Sequence, residues 1–100
     1  STTVGTRNIS NVPAQSLVFL NDPLVHELAG IWAARILDDS SLVDDRSRAD
    51  QMWRAAFTVE PSEEDLDDIV AFVAAGDDQR ERWADVGHAL FNTKAFIYLD

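Results

Sequence analysis

Apolar residues recur along the chain in short stripes, each closed by a polar pair or a helix breaker, and these stripes predict five helices. The first runs from about Val12 to Leu20, with Asn11 as its N-cap and Pro13 in its first turn, where a missing N–H costs little. Asn21 takes the left-handed position after it, and Asp22 with Pro23 caps and opens the second. The run "LNDP" therefore reads as a sharp elbow between two packed helices, with no spare linker. The second helix, Pro23 to about Asp38, sets Val25, Leu28, Ala29, Trp32 and Ile36 on one stripe and turns Glu27, Arg35 and Asp38 outward.

A turn follows at "DDSS", where Ser40 or Ser41 offers a cap. The third helix, about Leu42 to Phe57, buries Ala49, Met52, Trp53 and Ala56, while Arg46, Asp50 and Arg54 form a solvent-side ladder four residues apart. "TVEPS" breaks it. Ser62 caps the fourth helix, with Asp65 at the capping-box position and Glu63 and Glu64 in the first turn, where the helix dipole favours negative charge. Leu66, Ile69, Val70 and Val73 make its apolar stripe, and Gly76 ends it at the position after the C-cap. Asp77 or Asp78 caps the fifth, whose buried stripe is Trp83, Val86, Leu90 and Phe91 and which stops near Asn92 and Thr93. The tail "KAFIYLD" is rich in strand formers and reads as a docked extended segment, or as a strand that pairs elsewhere. The first ten residues read as an extended arm. Trp32, Trp53 and Trp83 are expected in one interior.

Composition narrows the setting more than the function. One hundred residues make one domain, and 46% hydrophobic content suffices for a core. No run approaches the roughly 20 apolar residues of a membrane span, so membrane insertion is not expected. The absence of cysteine excludes disulfides, thiolate chemistry and covalently attached haem within this sequence. A net charge of −10 opposes nucleic-acid binding, because phosphates select basic surfaces. The sequence begins at Ser1 without an initiator Met, and a fragment of a longer protein is expected.

Candidate chemistry is sparse. Glu81, Asp85, His88 and Asn92 share one face of the fifth predicted helix, which suits a polar outer surface; Asp85 and His88, three apart, also suit a metal ion, although nothing completes the site. His26 sits near Gly30 and Ala33 and reads as a core-edge histidine. The acidic pairs suggest calcium, but "DDSSLVDDRSRAD" lacks the central Gly and final Glu of an EF-hand loop, and helix capping explains these carboxylates better. No nucleophile elbow, phosphate loop, HExxH or dinucleotide fingerprint occurs. Arg7, Asn11 and Gln15, around the start of the first helix, either brace the loop or contact another domain. No catalytic residue, metal ligand or cofactor is assigned.

"TRNISNVPAQSLVFLNDPLVHELAGIWAARIL" and "WADVGHALFNTKAFIYLD" together resemble a known family: the C-terminal domain of unknown function of large secreted planctomycete proteins. The matching positions are Arg7, Asn11, Pro13, Gln15, Leu17, Leu20 to Pro23, Trp83 to Asp85, His88 to Leu90, Asn92 and Phe96. The likeness covers nearly the whole chain and departs at "AFTVEPSEED", where relatives carry a Leu-Gly-Arg-Pro-Pro-like turn. Such proteins often bear an N-terminal cytochrome-c-like domain, so the resemblance implies a periplasmic or secreted location beside a haem module. It supplies no catalytic residues.

These readings converge on a single all-α domain over residues 1–100: a compact orthogonal bundle of about five helices with an extended N-terminal arm and a short extended C-terminal tail. The expected function is a non-catalytic packing or protein-interaction module, its partners being other domains of the same chain or another protein. The alternative is one wall of a redox or carbohydrate-processing active site completed by domains outside this sequence. The interaction candidates are Arg7, Asn11, Gln15, His26, Asp85, His88 and Asn92.

Overall fold

The computed structural model describes residues 22–99, with side chains through Lys94. Four helices occupy them: α1 (Pro23–Asp38), α2 (Asp45–Ala56), α3 (Glu63–Ala74) and α4 (Gln79–Leu99). The described residues are all-α. The predicted helix over residues 12–20 and the extended arm lie outside them, so the expected five-helix orthogonal bundle becomes four described helices built around one long pair, α1 on α4.

The start signals in the sequence act as read. Asp22 caps α1 by accepting from the Leu24 N–H at 2.9 Å, with Pro23 at the first helical position. Ser62 and Asp65 close a reciprocal capping box on α3 at 3.0 and 3.1 Å. Asp78, rather than Asp77, caps α4 by accepting from Glu81 N at 3.1 Å.

The expected third helix begins later than Leu42. Asp44 caps α2 through a capping box with Ser47, and Ser41 bonds to Asp39 in the preceding turn instead of capping. The last helix does not stop at Asn92 and Thr93, and the tail is no strand: α4 continues to Leu99. Asn92 Nδ2 donates to His88 O at 2.7 Å and Thr93 Oγ1 to Ala89 O at 2.8 Å. Both polar side chains thus bond one turn back, which keeps them in the helix rather than ending it.

The core joins all four helices. Ala33 and Ile36 from α1, Ala49, Met52, Trp53 and Ala56 from α2, Leu66, Ile69 and Val73 from α3, and Trp83, Val86 and Leu90 from α4 form one buried cluster. Trp53 and Trp83 lie inside it, while Trp32 and Phe91 are half-buried at its edge, with ring centroids 5.1 Å apart. Small residues bring α1 and α4 together: Ala29 and Ala33 are fully buried, and a Cβ at Gly87 would lie 3.1 Å from the Trp32 ring and 3.3 Å from Met52 Cε.

Two expectations about faces need correction. On α1 the buried stripe is Ala29, Ala33 and Ile36; Val25 and Trp32 are half-buried and Leu28 is 43% exposed. Small alanines win the inner face because only they allow α4 so close. On α2, Asp50 pairs with Arg54 at 2.9 Å, but Arg46 leaves the expected ladder and bridges to α3, bonding Glu63 and, at 2.8 Å, Asp67. At the end of α3, Ala75 is the C-cap and Gly76 follows it as expected, but without a left-handed backbone, since no positive φ occurs among the described residues. A Cβ at Gly76 would overlap the Arg82 side chain as it lies, so a substitution there would have to displace Arg82, whose guanidinium sits 4.6 Å from the centroid of the Phe72 ring.

Candidate functional site

The fold brings two of the sequence candidates together. His26 from α1 and His88 from α4 meet with ring centroids 5.4 Å apart, tilted by 58°. Edge-to-face pairs of aromatic rings adopt such spacings. His26 is exposed rather than placed at a core edge, whereas His88 is 9% exposed and its Nε2 is buried without a hydrogen-bond partner among the described residues. An orphaned buried ring nitrogen costs on the order of 1–3 kcal/mol.

Asn92, one turn beyond His88, is fully buried. The expected polar face of the last helix is therefore split: Glu81 and Asp85 face solvent, while His88 and Asn92 are buried although they lie on the same side. The reason is that α1 crosses only part of α4, and the 3.6-residue period cannot tell where a neighbouring helix begins to cover a stripe. Asp85 and His88 consequently stand in different surroundings, one in solvent and one under α1. Among the described residues, no group of three or more His, Asp or Glu side chains is arranged to hold a metal ion. Arg7, Asn11 and Gln15 lie outside the described residues.

Acidic groups serve helix ends and turns. Hydrogen bonds from the Ser41 hydroxyl and N–H hold the Asp39 carboxyl below its ordinary pKa. The Ser47 N–H, then its hydroxyl, does the same for Asp44. Hydrogen bonding to Asp67 raises Arg46, and hydrogen bonding to Asp50 raises Arg54. These are the signatures of caps and ion pairs on an exposed surface, each of modest energetic weight.

Two further features escaped sequence reasoning. A small apolar crevice of about 150 Å³ lies between α1, α2 and α4, lined by Trp32, Ala55, Ala56, Leu90, Phe91 and Lys94. The second feature is the outward side of α1, where Leu24 (60% exposed), Leu28 and Ile31 stand at i, i+4, i+7. This second apolar stripe lies opposite Ala29, Ala33 and Ile36, so α1 is apolar on two sides. The signal was in the sequence: a helix that is hydrophobic all round is usually a buried one.

Residues 1–73 match the model of a family described as PSD1, protein of unknown function (DUF1553). The match takes in α1, α2 and nearly all of α3, and the closing "WADVGHALFN" motif on α4 lies beyond it. No curated protein and no solved structure matches the chain.

Proposed function

The chain belongs to this family of unknown function, and we propose that it is a non-catalytic helical packing module, held to the rest of a longer, extracytoplasmic polypeptide through the outward face of α1. The observation that carries this reading is the stripe Leu24, Leu28 and Ile31, three partly exposed aliphatic side chains on a helix whose other side is already in the core. Burying such side chains is worth about 1.5–3 kcal/mol each when complete, a sufficient drive for intramolecular docking. The resemblance to planctomycete proteins with a cytochrome-c-like domain supports a periplasmic or secreted setting in which a haem module is one of the neighbours.

Hydrogen exchange on the intact parent polypeptide tests this. Leu24→Lys combined with Ile31→Lys should release protection on segments outside α1–α4 while α2, α3 and α4 keep theirs. Unchanged protection outside the bundle would remove the reading.

The His26–His88 contact favours a second reading, one wall of an active site completed by other domains. It is separable, because His88→Phe would then abolish an activity of the parent polypeptide while leaving helix content and melting temperature intact. No helix among the described residues is long and apolar enough to cross a membrane.

A further inference from the structure

The His26–His88 pair stands where small residues bring α1 and α4 close. Ala29 and Ala33 are fully buried, and a Cβ at Gly87 would lie 3.6 Å from the Ala29 carbonyl oxygen. His26 comes one turn before Ala29 and His88 directly follows Gly87. Two helices thus hold the rings together, with centroids 5.4 Å apart and planes tilted by 58°. Packing alone does not account for a histidine at position 88. Its Nε2 is closed to water and lacks a hydrogen-bond partner among the described residues, a cost that phenylalanine would avoid. In a neutral ring with the proton on Nδ1, that nitrogen carries an unused lone pair. The neighbouring His26 is exposed and brings a second imidazole from the solvent side.

We propose that His26 and His88 bind a zinc(II) ion as a two-histidine site that staples the first turn of α1 to α4, with water completing the coordination. Zinc–nitrogen bonds of about 2.0–2.1 Å at a tetrahedral angle place the centroids of two coordinated imidazoles about 5 Å apart. The 5.4 Å between His26 and His88 is close to that separation. It is wider than the roughly 4.5 Å of a cis pair in a square-planar copper(II) site. The donors also select zinc over harder ions, since magnesium and calcium prefer oxygen. The two rings are the whole protein contribution, because no third His, Asp or Glu among the described residues joins them in a metal-binding group. The site is therefore weaker than a structural zinc site of four protein ligands. The net charge of −10 compensates in part by raising the cation concentration around the chain. The staple is independent of what covers the outward face of α1.

Zinc chloride titrated into the full chain at neutral pH, followed by the imidazole resonances, tests the site. One ion per chain should shift the ring signals of both histidines together. His26→Gln and His88→Phe should each weaken binding at least about tenfold, since the loss of even an outer-shell partner of a metal costs that much. His26 is exposed, so His26→Gln keeps the fold and separates a lost site from an unfolded variant. Cobalt(II), a spectroscopic stand-in for zinc, should give the intense visible bands of a tetrahedral complex in the unaltered chain and not in His26→Gln. Equal zinc binding in all three proteins overturns the proposal and gives the ion to the acidic surface. A loss confined to one variant, a pale octahedral cobalt spectrum, or no shift at millimolar zinc overturns it as well.

Discussion

His26 and His88 touch across the α1–α4 interface, yet one is exposed and the other is nine-tenths buried, its Nε2 without a hydrogen-bond partner among the described residues. Equal residues in one contact thus carry unequal weight. His88→Ala should cost about 2 kcal/mol or more in urea unfolding, since it opens a cavity under α1. His26→Ala should stay within about 1 kcal/mol. His88→Phe, which removes the orphaned nitrogen, should hold or raise the unfolding midpoint. A loss with Phe as large as with Ala would mean that Nε2 has a partner.

The glycines within α1 and α4, Gly30 and Gly87, differ in surroundings. A Cβ at Gly30 meets nothing within 4 Å, so Gly30→Ala should raise stability by about 0.5–1 kcal/mol through lower unfolded-state entropy and better helix propensity. At Gly87 the same Cβ presses on Trp32, whose ring is itself packed on Phe91. Gly87→Ala should therefore lower the melting temperature. Calorimetry of the two variants side by side gives the answer, and a stabilising Gly87→Ala would show that α1 can shift without cost.

Acid should weaken the start of α2 through a group that is easy to identify. The Asp44 carboxyl is lowered from its usual 3.8 by the Ser47 N–H and hydroxyl. A depressed folded value means its contribution is fully present above the unfolded value and disappears as pH falls through the folded one. The loss should hence be confined to pH below about 3.8 and be absent from the neutral range. Asp44→Asn keeps a capping oxygen without the titration, so its stability profile should flatten in that window relative to the unaltered protein. Parallel profiles would exclude Asp44 as a contributor.

Local chemistry was the legible part of this fold. Asp22-Pro23 and Ser62 with Asp65 announce helix starts because the bonds they make reach only two or three residues along the chain. The buried stripe of α2 was read correctly for the same reason, its four positions being fixed by the helical period. What could not be read depended on distant partners. His26 and His88 are far apart in sequence, and nothing local says that α1 crosses α4 at that level. Asn92 and Thr93 looked like a stop because their preference for caps is real, but in a covered helix they turn back on the preceding carbonyls. The inner face of α1 went to alanines rather than to Leu28 because close approach to Gly87 outweighed side-chain size.

The two-sided character of α1 bears on how any shortened version would behave. A polypeptide trimmed to begin at Asp22 keeps the caps and the buried cluster of the described residues, with Leu24, Leu28 and Ile31 still partly exposed along one edge. Such a product should fold and then tend to stick, to itself or to a column matrix, and a charge placed at Leu28 should disperse it.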